Sequence, residues 1–355
     1  MHISNKRILN FSLACGLIFL LPLAQAAGAS QAPESTPDGY NGYGSVALGN
    51  GIIYGRGSIG EKQMRWRSAE IRFGPDIDLF GPVSSERVSP GESPRLDVVY
   101  YNEGHPDNNH RDGYALQMVF RKNLQPRLDV ELGAGPYFSM NRTTVNGMES
   151  DDDRLGALLS LAFLVRLDQY SPGLNVRLAY NHVIMPGAPS SDALLVGIGK
   201  ELDSGYPSAP DEPGRHPVWL AASGGFTQTN HSGPGIRFSY AVEAKKYDGQ
   251  WATSVSGIEE GDDGVRVNRR GIALQRWYVQ PIDAQWSISA GAGPYLAQNK
   301  RESDKLKFNG LMTIQVDRTL SNNLKAFLSF GRIVTFADKN DADLFTIGVM
   351  KRFNF

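Results

Sequence analysis

The chain has 355 residues, with 36 basic and 37 acidic side chains, a net charge of −1 and one cysteine. This balanced charge argues against nucleic acid as a partner. The cysteine, Cys15, lies in a segment that we expect to be removed, so the mature chain offers neither disulfides nor thiolate metal ligands.

The N-terminus has the features of an export signal. Lys6 and Arg7 precede a mostly apolar run, and Ala24-Gln25-Ala26 follows it as an A-x-A cleavage pattern. The run is shorter than the roughly 20 apolar residues that a spanning helix needs. We therefore predict a signal peptide over residues 1–26 and a flexible leader, rich in Gly, Ser, Pro and Ala, over residues 27–42.

Residues 43–202 alternate between apolar and polar side chains. Over residues 128–138 every even position is apolar, whereas the odd positions include Asp129 and Glu131. A period of two indicates β-strands whose two faces meet different environments. The pattern predicts strands at residues 43–54, 67–79, 95–103, 113–122, 127–138, 156–167, 175–183 and 193–202.

A second, similar stretch follows a proline-rich segment. The pentapeptide GAGPY occurs at residues 133–137 and again at residues 291–295, which lie 158 residues further on. We therefore predict two repeats of about eight strands each, at residues 43–202 and 218–355, joined by a linker over residues 203–217.

The repeated pentapeptide has a structural interpretation. Its glycines face inward on a strand, where the wall of a barrel can curve or a neighbouring ring can fold across. Pro136 and Pro294 face outward and lack an amide donor, which predicts a β-bulge at each copy.

The last predicted strand is apolar on alternate positions and ends in an aromatic residue: Phe345, Ile347, Val349, Phe353 and Phe355. The strands are about ten to fifteen residues long, and short connections alternate with longer ones, such as the polar segment 140–154. With these features the chain resembles Gram-negative outer-membrane β-barrel proteins as a class. The resemblance implies a location in the bacterial outer membrane, contact with its lipid, and recognition of Phe355 by the barrel-assembly machinery.

Two all-β architectures are open for this transmembrane antiparallel barrel. A single sixteen-stranded barrel, which we favour because the ends of both repeats can pair and leave no edge, would enclose water. Two tandem eight-stranded barrels would be narrow and filled by paired side chains, and the length of the linker favours them. The inward charges that would line a channel are Glu70, Arg72, Asp76, Asp129, Glu131, Arg177, Arg237, Glu243 and Lys245.

The favoured function is a non-enzymatic, porin-like channel for small hydrophilic solutes or a secreted polymer. The alternative is a structural or interaction protein with paired narrow barrels. A third hypothesis is a lipid A or phospholipid hydrolase, because such outer-membrane enzymes carry His-x-Ser on a strand. Here His182 is followed two positions later by Ile184, which cannot attack an ester. The sequence therefore predicts no catalytic residue, metal site or cofactor, and it leaves the oligomeric state open.

Overall fold

The computed structural model describes residues 42–53, 68–77, 94–104, 109–145, 148–202, 217–228, 237–262, 264, 267–303, 305–336 and 340–354. The predicted signal peptide, almost all of the leader, most of the linker, and Phe355 lie outside the described residues. Within the described ranges, no helix combines the length and the apolar character needed to cross a membrane.

The chain divides into two compact units between Ser204 and Gly205. The first contains β1 (Gly42–Ile53), β2 (Ser68–Pro75), β3 (Arg95–Gly104), β4 (Asn109–Gln125), β5 (Leu128–Val145), β6 (Met148–Arg166), β7 (Leu174–Ile184) and β8 (Ser191–Leu202). The second contains β9 (Val218–Gln228), β10 (Arg237–Asp248), β11 (Trp251–Asp262), β12 (Asn268–Pro281), β13 (Trp286–Asn299), β14 (Leu306–Ser321), β15 (Leu324–Thr335) and β16 (Ala342–Phe353).

Each unit is a closed antiparallel barrel of eight strands. In the first barrel β1 pairs with β8 along its whole length, from Gly42 opposite Leu202 to Ile53 opposite Ser191. In the second, β16 pairs with β9 in the same way. The prediction of one sixteen-stranded barrel is therefore wrong, and the tandem eight-stranded alternative fits. The wide barrel was favoured because it leaves no unpaired strand edge. Two closed eight-stranded barrels also leave none, so this criterion could not distinguish the two architectures.

The alternation of side chains becomes the two faces of each barrel wall. On β5, Leu132 faces outward and is 58% exposed, whereas Glu131 faces inward and is 1% exposed. Successive side chains of a strand point to opposite faces. Once one residue is known to face inward or outward, the orientation of every other side chain in that strand follows. Outward positions are mainly leucine, valine, isoleucine and aromatic residues, and many charged side chains lie inside.

The connections differ between the two ends of the second barrel. We call the end at which the first strand of a barrel begins its start end, and the opposite end its far end. The start end of the second barrel has connections at residues 249–250, 282–285 and 322–323, and those at the far end are longer. In the first barrel the predicted polar loop at 140–154 is a hairpin, because only residues 146–147 separate β5 from β6.

The GAGPY motif marks the same irregularity in both barrels. Between β4 and β5, the pairing runs to Ala115 opposite Tyr137 and resumes at Met118 opposite Ala134. The register is the same on both sides of the gap, so no extra residue is inserted and the predicted bulge is wrong. The gap between β12 and β13 has the same spacing. A Cβ atom at Gly135 would lie 1.9 Å from the carbonyl oxygen of Leu116, so the glycine allows a close approach of two strands.

Candidate functional site

The predicted channel residues of the first barrel form a buried ionic network. Arg72 donates from Nε to Oε1 of Glu70 at 2.7 Å, and Arg177 donates to the same oxygen at 2.8 Å. Glu131 accepts bonds from Arg95 and Arg121, both at 2.9 Å. These side chains are almost fully buried. Burial of such charges is tolerated only because each is paired and hydrogen-bonded.

Some of these contacts connect opposite walls of the first barrel. Arg121 on β4 is paired with Glu201 on β8, and Arg72 on β2 donates to Ser160 on β6 at 3.4 Å. Beside them, the Arg95 guanidinium lies 4.4 Å from the ring centroid of Tyr43. An eight-stranded barrel is just wide enough for side chains to fill it. The network therefore crosses the lumen of the first barrel with paired charges.

Sequence reasoning did not select Arg95, Asp97 and Arg121, although all three belong to this network. Arg95 donates to Asp97, and Arg72 also reaches Asp97 at 3.2 Å. Arg95 and Asp97 stand on alternate positions of a predicted strand, so the rule that selected Glu70 and Arg72 could have found them. Their partners on other strands depend on the register around the barrel, which the sequence does not display.

The two other predicted residues of the first barrel lie near its start end. Asp129 accepts bonds from Arg166 at 2.9 Å and from Asn123 at 2.9 Å. Asp76 lies beyond the end of β2 and forms an isolated bridge with Arg95. It is therefore outside the strands, although the alternation pattern had extended the second strand past it.

The ionisation of Asp76 is expected to make stability depend on pH. Burial raises the pKa of its carboxyl group from 3.8 to about 6, against the opposing effect of Arg95. The folded chain binds this proton more tightly than the unfolded chain, so stability falls as the pH rises through this range. We predict that Asp76→Asn raises the free energy of unfolding at pH 8 by on the order of 1–2 kcal/mol and leaves it unchanged at pH 3.5.

Urea titrations of the refolded protein at both pH values measure this difference. Asp248→Asn, at the exposed end of β10 in the second barrel, is the control. If both variants gain the same free energy of unfolding at pH 8, or if Asp76→Asn gains none, the pH dependence does not come from the ionisation of Asp76.

In the second barrel, the predicted residues Glu243 and Lys245 also lie inside. The ammonium group of Lys245 is 3.4 Å from Glu243 and 3.6 Å from the ring centroid of Trp277. It also donates to Gln315 on the opposite wall at 3.4 Å. Arg237, the third predicted residue, is the first residue of β10 and lies half-buried at the far end. Sequence reasoning did not select the buried pair of Arg269 and Glu260, which are 2.6 Å apart.

One side of the second barrel is less densely filled. Small inward residues on four neighbouring strands are only partly buried although they face the interior: Ser223, Gly225, Ala241, Ser329, Thr346 and Gly348. These positions are adjacent in the register of β15, β16, β9 and β10. These small residues fill less of the interior than the large inward side chains on the other strands do, such as Trp277.

On the outer surface of the first barrel, His182 forms a polar cluster near the far end. Its Nδ1 lies 2.6 Å from Oδ1 of Asp192, which also accepts a bond from the hydroxyl group of Tyr180 at 2.7 Å. His182 is 30% exposed. Ile184 faces outward on the same strand, and Ser190 bonds the backbone amide of Met185 at 3.4 Å. No serine within the described part of the chain bonds the imidazole of His182.

An outward pair occupies the corresponding strands of the second barrel. Arg332 on β15 stands opposite Asp343 on β16, as His182 stands opposite Asp192, and donates to it at 2.6 Å. The side chain of Arg332 is only 3% exposed, and the neighbouring outward position Phe330 is also buried. The basic member of the pair is therefore covered in the second barrel and accessible in the first.

A groove adjoins His182 on the outer surface of the first barrel. Its volume is about 600 Å³, and it runs across β4, β5, β6 and β7. The side chains along it are Met118, Phe120, Leu132, Ala134, Leu159, Leu161, Tyr180 and His182. Across the described ranges, no group of three or more His, Cys, Asp or Glu side chains is placed to hold a metal ion.

No protein-family model and no curated protein sequence matches the chain. Among solved structures, Neisserial surface protein A matches at 13% identity and a TM-score of 0.33, over 45% of this chain and 97% of its own. The Pseudomonas putida toluene transporter TodX matches at 8% identity and a TM-score of 0.23, over 91% of this chain and 90% of its own. The KdgM porin matches at 8% identity and a TM-score of 0.20, over 87% and 99%. These are outer-membrane β-barrel proteins, the class that the sequence resembles, and such identities and scores carry no argument about function.

Proposed function

We propose that this chain is a protein of the bacterial outer membrane with two narrow, filled barrels, and that it acts as a structural or interaction protein. The contacts across the lumen of the first barrel, such as that between Arg121 and Glu201, carry this proposal. They occupy the space that a wide channel would need. Any interaction with a partner would then take place on the outward faces of the barrels or at their far-end connections.

Membrane lipid is the environment that the outward faces fit. Large apolar side chains are exposed around both barrels, among them Leu132, Leu194 and Val196 in the first and Val242 and Ile272 in the second. Soluble monomers rarely expose contiguous apolar surface of more than a few hundred Å². A closed barrel also leaves no unpaired strand edge in the bilayer. The proposal includes the barrel-assembly machinery as a partner, through the C-terminal Phe355.

A channel for small hydrophilic solutes is the second candidate, and it is restricted to the second barrel. The small inward residues Ser223 and Ala241, which are only partly buried, favour it, because they occupy less of the interior than large side chains would. An extended polymer would need a wider lumen than eight strands enclose.

Conductance across a planar bilayer separates the two candidates. We expect the refolded, inserted mature protein to show no persistent conductance steps. Large steps would contradict the structural proposal. Small steps would support the second candidate if Ser223→Phe, which adds bulk inside the barrel, abolishes them and Ala222→Phe, on the neighbouring outward position, leaves them unchanged.

A further inference from the structure

The outward face of the second barrel carries basic side chains near its start end. Each strand that ends there contributes one exposed residue from the last six residues of the strand: Lys246 on β10, Arg276 on β12, Arg318 on β14 and Lys351 on β16. Their neighbours along the strands, such as Lys245 and Asp317, are buried and face the lumen. We call the four outward residues the basic belt.

Aromatic side chains on neighbouring strands contact the cations of the basic belt. The guanidinium group of Arg276 lies 5.3 Å from the ring centroid of Trp251, the first residue of β11. That of Arg318 lies 5.3 Å from the ring centroid of Trp286, the first residue of β13. Aromatic residues are concentrated where a barrel meets the lipid head groups, and long basic side chains can extend to the same level. The belt therefore has the composition of a membrane interface.

The positive charge of the basic belt exceeds the negative charge around it. Across the described residues, none of its four cations forms an ion pair, and Arg276 donates to the neutral hydroxyl group of Thr253 at 2.8 Å. Apart from inward side chains, the described residues at this end include two acids. Asp248 is exposed at the end of β10, and Asp283 accepts two backbone amides of its own turn at 2.8 Å. The surplus positive charge is available to an anion.

We propose that the basic belt binds the phosphate groups of anionic glycerophospholipids in the periplasmic leaflet of the outer membrane. This inference rests on the proposed membrane location. Lys246 and Arg276 both stand opposite Thr253 on the strand between them, so their backbones are about 10 Å apart. Two side chains of this length can reach one phosphate group between them and form charge-assisted hydrogen bonds with it.

The connections of the second barrel select the periplasmic leaflet. Between consecutive strands of this barrel, each start-end connection has two to four residues, and each far-end connection has five to eight. In outer-membrane barrels the short turns face the periplasm and the longer connections face outward. The lipid on the periplasmic side is glycerophospholipid, whereas lipid A occupies the outer leaflet. Clustered Lys and Arg side chains attract the anionic members of such a leaflet.

Native mass spectrometry of the mature protein in detergent, loaded with an equimolar mixture of phosphatidylglycerol and phosphatidylethanolamine, tests this inference. We expect phosphatidylglycerol to be retained preferentially. Each Lys or Arg near an anionic lipid surface contributes about fivefold in affinity. The double variant Lys246→Gln/Arg276→Gln should therefore weaken binding of phosphatidylglycerol at this pair about 25-fold and lower the number retained per chain. Retention of phosphatidylethanolamine should not change.

The double variant Arg270→Gln/Lys300→Gln is the matched control. It removes the same charge from exposed residues near the far end of the same barrel. Arg270 faces outward on β12, as Arg276 does, and Lys300 follows β13 directly. This control should leave the retention of phosphatidylglycerol unchanged.

Several results would overturn the inference. An equal loss in the control, or no loss in Lys246→Gln/Arg276→Gln, would show that the basic belt is not the site. Equal retention of both lipids by the unmodified protein would show that charge does not select the lipid. If lipid A is added and is retained in preference, the choice of leaflet is wrong. Co-flotation with liposomes tests insertion separately: a protein that inserts but retains no phosphatidylglycerol refutes only this inference, whereas failure to insert refutes the proposed function.

Discussion

Replacing Glu131 with alanine is expected to destabilise the first barrel by about 3–5 kcal/mol. Glu131 accepts hydrogen bonds from Arg95 and Arg121, and its second oxygen lies 3.5 Å from Arg177. Removal of the carboxylate leaves three arginines crowded in a narrow interior without their shared counter-ion. The cost of an uncompensated buried charge then dominates the small loss of packing.

Urea unfolding of the refolded protein, followed by the loss of β-structure, measures this effect. Glu302→Ala is the matched control, because Glu302 forms a partly exposed pair with Lys307 at the far end of the second barrel. Such surface pairs contribute about 0–1 kcal/mol. If Glu131→Ala costs no more than the control, water must solvate the arginines. The lumen of the first barrel would then be hydrated, and the argument against conduction through it would fail.

Much of the barrel wall could be predicted from the sequence. All eight strands predicted for the first repeat are present, because the alternation of apolar and polar side chains directly records the two faces of a strand. The strand ends were less accurate: β5 and β6 extend well into the segment predicted as a polar loop. Polar side chains are compatible with strands that continue beyond an apolar belt, so polarity did not mark the end of pairing.

The number of barrels could not be predicted from alternation. The last strand of a repeat satisfies its backbone groups equally well against its own first strand or against the next repeat. The volume of the inward side chains is more informative. Tyr43, Arg72, Arg177 and Trp277 are large and fully buried, and such residues fit a narrow barrel whose opposite walls are in reach of each other. Two barrels also explain why a linker longer than a turn separates the repeats.

The outer groove shows a different limit of sequence reasoning. His182 was identified because a hydrolase would need a serine two residues later. Its actual partner, Asp192, lies across the β7–β8 hairpin and depends on register. The groove itself depends on Ala134 standing between larger residues of two neighbouring strands, and no local pattern records that arrangement.

Gly135→Ala is expected to destabilise the first barrel by at least about 2 kcal/mol. The added Cβ would lie 1.9 Å from the carbonyl oxygen of Leu116, a backbone atom that can retreat only if the strand moves. Gly133→Ala is a control within the same motif, because its Cβ would meet the flexible end of Gln117 and a methyl group of Val119, both at 3.3 Å. Both substitutions change the entropy of the unfolded chain alike. The difference between their free energies of unfolding therefore measures the cost of the clash alone.

The second barrel offers an independent repetition of this experiment. A Cβ at Gly293 would lie 1.9 Å from the carbonyl oxygen of Leu274, the same contact in the second GAGPY motif. Gly293→Ala should therefore be as costly as Gly135→Ala in denaturant unfolding, whereas Gly224→Ala, whose nearest neighbour would be 3.9 Å away, should cost far less. Equal costs for Gly135→Ala and Gly133→Ala would mean that the motif does not serve the close approach of strands. A large cost at both Gly135 and Gly293 would explain why this glycine stands in both copies of the motif: at this point two strands meet closely beside a proline that cannot donate a hydrogen bond.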